Sequence, residues 1–116
     1  MAEIIISLGS NYHPAAHIQW VSERLLHILS DVRYSRKLWT QDIHHHEIWY
    51  MNRLAIAKTS LSVEEVERTL KAIEAESRRS PKHVTIDLDL MQYDDQHYHL
   101  KDWSRPYILQ LIHDIT

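Results

Sequence analysis

Thr85-Ile86-Asp87-Leu88-Asp89-Leu90 is the stretch on which the fold turns. Ile86, Leu88 and Leu90 alternate with Asp87 and Asp89. That period of two specifies a strand with one apolar and one acidic face, running from Val84 to Met91. The two carboxylates then share a face, about 6.6 to 6.8 Å apart along the strand. Carboxylates so placed can hold one or two hard cations, and Mg²⁺ commonly uses one or two carboxylates plus substrate phosphates. A solvated sheet face is the plainer account. Two like charges side by side repel, however, and such faces more often carry Thr, Lys or mixed charge.

Upstream of this strand lies a helix with a clear beginning. Ser62-Val63-Glu64-Glu65 is a capping box, in which the Ser62 hydroxyl accepts from the third helical amide while Glu65 reaches back to the cap. Val63, Val66, Leu70 and Ile73 form one stripe, so the helix is expected to run to about Arg79 and to break at Pro81. Arg78-Arg79 follows five residues after Glu74. Arginine forks suit phosphate, but cations also favour helix C-termini for dipole reasons alone. The phosphate reading strengthens if the aspartates lie nearby, which a connection of Ser80-Pro81-Lys82-His83 allows.

The N-terminal half supplies the remaining elements. Glu3 to Ser7, with Ile4, Ile5 and Ile6, reads as a buried strand stopped by Leu8-Gly9-Ser10-Asn11. Pro14 suits a first helical position, and Ile18, Val21, Leu25 and Ile28 give an amphipathic helix to about Ser30. Val32 to Trp39 is a strand, Thr40 to Glu47 a polar, His-rich loop, and Trp49 to Thr59 a further strand. Tyr93 to Ser104 is polar and irregular, and Tyr107, Ile108, Leu111, Ile112 and Ile115 form a closing helix. The order βαββαβα suits an antiparallel sheet with helices on one face, the ferredoxin-like class of α+β folds. Residues 1–116 are expected to form a single domain.

Composition narrows the chemistry. One glycine among 116 residues excludes P-loop, dinucleotide-fold and kinase phosphate loops, each of which needs several. A bound nucleotide must therefore be gripped by side chains and metal ions. The absence of cysteine excludes thiolate catalysis and Cys-ligated zinc and fits a reducing compartment. A formal charge of -3 argues against general nucleic-acid binding. No apolar run approaches the roughly 18 to 20 residues that span a bilayer, and the N-terminus lacks the pattern of an export signal. The expectation is a cytoplasmic protein without membrane or nucleic-acid partners. His44-His45-His46 could chelate a transition metal such as zinc, although built sites draw ligands from separate elements. Trp20, Trp39, Trp49 and Trp103 read as core or rim packing, with one aromatic flanking a pocket suited to a flat heterocycle.

Taken in order, these motifs resemble one family. Leu8-Gly9-Ser10-Asn11, Tyr50-Met51-Asn52, Thr59-Ser60-Leu61-Ser62, Ile73-Glu74, Ile86-Asp87-Leu88-Asp89-Leu90 and the tail Arg105-Pro106-Tyr107-Ile108-Leu109 are similar to segments of 6-hydroxymethyl-7,8-dihydropterin pyrophosphokinase. The resemblance implies a ferredoxin-like sandwich and transfer of the pyrophosphoryl group of ATP to the pterin hydroxymethyl oxygen, releasing AMP, in folate biosynthesis. It implies Asp87 and Asp89 as ligands of two Mg²⁺ and, with Arg79, as catalytic residues. It further implies Gly9, Thr40, Ile43, Tyr50, Asn52 and Tyr107 around the pterin, and Lys71, Glu74, Arg79, Leu90, His99 and Arg105 around ATP. The departures lie in the segment 80–83, which is much shorter than the family's ATP-covering loop, and at Val84, where the family has arginine. The family's Pro-His-aromatic motif is also missing, although His99 keeps its spacing to Arg105. These departures support an alternative, a catalytically impaired relative acting as a nucleotide- or pterin-binding or interaction module. A third reading keeps only the fold, with the His-rich loop binding a metal.

Overall fold

The computed structural model describes residues 1–42, 44–77 and 85–116. Its elements are β1 (Ala2–Ser10), α1 (Pro14–Leu26), β2 (Ser30–Tyr34), β3 (Leu38–Gln41), β4 (Trp49–Thr59), α2 (Val63–Ser77), β5 (Asp87–Tyr93), β6 (Gln96–His97), a 3₁₀ turn at Asp102–Ser104, and α3 (Pro106–Ile115). All strand pairings are antiparallel. The sheet runs β2-β4-β1-β5-β6, and β3 also pairs with the long β4. This is an α+β fold compatible with the ferredoxin-like class.

Local chemistry explains most boundaries. Pro14 opens α1, and Ser62 opens α2 through the anticipated reciprocal cap, with Glu65 N–H donating to Ser62 Oγ at 3.2 Å and Ser62 N–H to Glu65 Oε1 at 3.0 Å. β1 extends through Ser10 rather than stopping at Ser7, because Leu8, Gly9 and Ser10 continue the ladder to Arg53, Asn52 and Met51. α1 ends at Leu26, before the expected Ser30. The turns tighten there, with His27 N–H donating to Arg24 O and Ile28 N–H to Leu25 O.

Other expectations are corrected more substantially. Val32 to Trp39 is two strands, not one. Buried Ser35 interrupts it, its hydroxyl accepting from Leu54 N–H at 2.8 Å and donating to Arg36 O at 2.8 Å. Thr40 and Gln41 belong to β3 and not to a loop. Tyr93 to Ser104 contains the end of β5, the short β6 and the 3₁₀ turn. The helix expected to reach Arg79 is described to Ser77, and Arg78, Arg79, Pro81 and Val84 lie outside the described residues. With a single glycine, the left-handed backbone positions fall on His13, Asp31, Asp94 and His99 among the described residues.

The largest correction concerns layering, since the helices are not confined to one face. Ile4, Ile6, Leu8, Ala55, Ala57, Ile86, Leu88 and Leu90 pack under α1 and α2, together with Ile18, Val21, Leu25, Val66, Leu70 and Ile73. On the opposite face, Ile5, Leu54, Ile56 and Met91 pack against Ile108, Leu111 and Ile115 of α3. β1 and β4, apolar on both sides, lie between the two layers. Trp20 and Trp103 pack against these cores, whereas Trp39 and Trp49 are about half exposed. Among the described residues no helix is long and apolar enough to cross a membrane.

Beneath α1, Tyr34 donates its hydroxyl proton to Ser22 O at 2.6 Å, and the Arg53 guanidinium lies 4.4 Å from its ring centroid. Burial pushes the phenol up to about 12, against the opposing charge of Arg53. A phenol that ionises later in the folded state than in the unfolded chain leaves stability intact below pH 10. Stability is then lost as pH rises through the interval to about 12. Denaturant melts are expected to show this alkaline decline in wild type and a flatter profile in Tyr34→Phe. Parallel profiles would contradict it.

Candidate functional site

Three neighbouring strands place the site. On the α3 face, cross-strand registers align Ile56 of β4 with Ile5 of β1, then Leu54 with Ser7 and Asp89 of β5, then Asn52 with Gly9 and Asp87. The rows grade from apolar to polar, and α3 covers only the apolar end. Beyond it, β3 adds Thr40 opposite Tyr50. A cavity of about 700 Å³ opens over the polar rows, lined by Gly9, Thr40, Tyr50, Asn52, Asp87, Asp89, Arg105 and Tyr107 among others. Arg105 and Tyr107 arrive there because α3 begins at Pro106, at the edge of the cavity.

The hydrogen bonds fix which polar atoms face the opening. Asn52 Nδ2 donates to Thr40 Oγ1 at 2.7 Å and lies 3.4 Å from the Leu38 carbonyl, an obligate acceptor. The amide nitrogen is thus committed to the β3 side, and Oδ1 is the atom turned toward Gly9, where an added Cβ would lie 3.5 Å from it. Thr40 accepts from Asn52 and retains its own hydroxyl proton as a donor. Acceptor and donor therefore stand side by side, matching an N–H/C=O edge of a flat heterocycle.

The acidic end is electrostatically loaded. Burial, reinforced by the negative charges of Asp87 and Asp102, holds the Asp89 carboxyl above the usual range, while His99 and Lys71 pull it down. Glu74 reaches β5 from α2, its Oε2 accepting from Leu88 N–H at 2.9 Å. Burial raises its carboxyl despite that bond, and Asp87 adds to the rise. Tyr107 is raised by burial, with Arg105 opposing. Tyr50 is raised by burial and by Asp42. Asp42 itself is lowered, chiefly by the His44 amide that donates to it. The Asp87 and Asp89 oxygens are hard donors on one face, the donor type that Mg²⁺ takes.

Most of the anticipated residues converge. Gly9, Thr40, Tyr50, Asn52 and Tyr107 line the cavity with Asp87, Asp89 and Arg105. His99 lies beside it, Nε2 3.7 Å from Asp89 Oδ1, and Lys71 is close enough to act on the charges of Asp89 and Glu74. Leu90 is not brought to the cavity; its side chain is buried under the α1/α2 layer. Ile43 and Arg79 lie outside the described residues. Sequence reasoning missed Ser7, Gln41, Asp42, Asp102 and Pro106 as lining residues. Ser7 was recoverable, standing two positions before Gly9 on one strand, whereas nothing in the sequence singles out Asp102. Of the histidine tract only His44 lines the cavity.

Fold and site together define an α+β domain whose sheet ends in an acid-floored cavity, with an arginine and two tyrosines on its walls. The sequence profile of the 7,8-dihydro-6-hydroxymethylpterin-pyrophosphokinase (HPPK) family matches residues 5–116, essentially the whole chain. The chain belongs to this family. A search among curated proteins gave no match.

Proposed function

We propose that the chain transfers the pyrophosphoryl group of ATP to the hydroxymethyl oxygen of 6-hydroxymethyl-7,8-dihydropterin, forming the pterin diphosphate and AMP. The observation carrying this reading is that Gly9, Thr40, Tyr50, Asn52 and Tyr107, which we assign to the pterin, line one cavity with Asp87, Asp89 and Arg105, which we assign to metal and phosphate. Asn52 Oδ1 and the Thr40 hydroxyl read the pterin edge, and Tyr50 and Tyr107 flank its ring. The open floor at Gly9 leaves room for the ring. Arg105 faces phosphate, joined by Lys71, His99 and, from beyond the described residues, Arg79. Asp87 and Asp89 hold Mg²⁺, two ions on the family pattern; the metal supplies charge neutralisation and alignment of the phosphates. Residues 1–116 act as one unit, working in the cytoplasm on small molecules.

Mixing the protein with Mg-ATP and the pterin should yield AMP, with Asp87→Asn as the control; no AMP from wild type overturns the reading. The short 80–83 segment favours a second reading, in which pterin or nucleotide binds without turnover. Calorimetric binding with no AMP would be its signature. Gly9→Ala is expected to leave the melting temperature unchanged or higher, because the new methyl makes only an ordinary contact with Asn52 and glycine is a poor strand residue. Pterin affinity should nonetheless fall about tenfold, or about 1.4 kcal/mol, because that methyl occupies the cavity floor. Unchanged affinity in calorimetry would remove Gly9 from the binding surface.

A further inference from the structure

Asp89, His99 and Asp102 are the set of three or more metal-ligating side chains found among the described residues, with one ligand atom from each within 4.8 Å of the others. They come from two separate places: Asp89 from the middle of β5, and His99 and Asp102 from the turn that leads into α3. That turn is built to present both. His99 adopts a left-handed backbone with φ of 53°, and its carbonyl accepts from Asp102 N–H at 2.8 Å. The Asp102 carboxylate is further oriented by Arg105, whose Nε donates to Oδ1 at 2.8 Å, leaving Oδ2 for another partner. Carboxylates held from behind in this way are the usual supporting arrangement around a bound metal.

We propose that Asp89, His99 and Asp102 bind a d-block divalent cation such as Zn²⁺ or Co²⁺, in a site different in kind from the Asp87/Asp89 pair. An imidazole nitrogen beside two carboxylates selects d-block ions, whereas Mg²⁺ prefers oxygen donors alone. Metal–ligand bonds of about 2.0 to 2.2 Å bring the donors to within about 3 to 3.5 Å of each other, so the exposed imidazole and the carboxylates close by about 1 Å on binding. Because Asp89 belongs to both sets, the two metals compete for one of their ligands. A d-block ion then engages Asp89 and Asp102, which line the cavity, together with His99 beside it. This last consequence rests on the proposed function; the binding itself does not.

The test is Co²⁺ titration of untagged protein, read by its visible d–d absorption, in a His44→Ala/His45→Ala/His46→Ala background that removes the other histidine tract. One Co²⁺ site is expected, weakened about tenfold or more by Asp102→Asn and by His99→Asn. Asparagine tolerates the left-handed backbone, so the latter change removes the imidazole without adding strain. Circular dichroism would verify that both variants fold. A Co²⁺ spectrum and affinity unchanged in His99→Asn would overturn the site. Mg²⁺ is expected to raise the apparent Co²⁺ dissociation constant. Co²⁺ binding that depends on His99 but is indifferent to Mg²⁺ would sustain this site and overturn the competition for Asp89.

Discussion

Asp89→Asn is expected to slow Mg²⁺-dependent pyrophosphoryl transfer sharply while raising the melting temperature of the metal-free protein. The two effects have one cause. Without metal, Asp89 sits partly buried beside Asp87 and Asp102, and its carboxyl is held above the usual range. A carboxylic acid whose folded pKa is raised loses stability as pH climbs from its unfolded value through the folded one, so at neutral pH its ionisation works against the fold. Asparagine keeps the shape and removes the charge. A gain of about 1 kcal/mol would appear as roughly 4–8 °C in a domain of about 100 residues. Transfer should fall about 100- to 1000-fold, since a metal at reacting phosphates supplies several kcal/mol and each 1.36 kcal/mol is tenfold in rate. Thermal melts with chelator and with Mg²⁺ check the first half, and AMP release the second. A lower melting temperature in chelator would contradict the electrostatic account.

Leu111→Ala is expected to cost about 2–5 kcal/mol, a large part of the 5–15 kcal/mol available to a domain of this kind. Leu111 is fully buried, at the centre of the layer formed by Ile5, Leu54, Ile56, Met91, Ile108 and Ile115. α3 is held to the sheet by this layer, with the Arg36–Asp114 ion pair at 2.8 Å near its far end. Its first turn carries Tyr107 into the cavity. The variant should therefore lose pterin affinity as well as stability, although no cavity-lining residue changes. Chemical denaturation and calorimetry on the same preparation test both. A destabilised protein with unaltered affinity would show that the cavity wall does not depend on α3 packing.

The features legible in sequence were those governed by local rules. The Ser62 cap, Pro14 and the alternation through Ile86, Asp87, Leu88, Asp89 and Leu90 are decided within a few residues, and the structure reproduces them. What escaped depends on distant partners. Ser35 reads as an ordinary strand residue until the Leu54 amide is found to donate to it. The apolar stripe of α3 is the same whichever face of the sheet it covers, so periodicity could not place it opposite α1 and α2. The site followed the same division. Asp87 and Asp89 announced themselves by spacing, and the residues from Gly9 to Tyr107 came through family resemblance. Asp42 and Asp102 line the cavity only because separate turns bring them to it.

The register of β5 against β1 shifts between Ile5 and Ile6: Ile6 faces Leu90 while Ile5 faces Gln92, so Met91 is an extra residue. Up to that point odd-numbered residues of β5 serve the cavity face; after it Tyr93 turns to the other side, where its hydroxyl donates to Leu61 O. The strand is thereby divided into two segments with independent phase. Asp87 and Asp89 both lie on one side of the irregularity, where they keep register with Gly9 and Ser7 of β1. The acidic half is thereby set off in phase from the far end of its own strand, and the chain beyond β6 returns to it through His99 and Asp102.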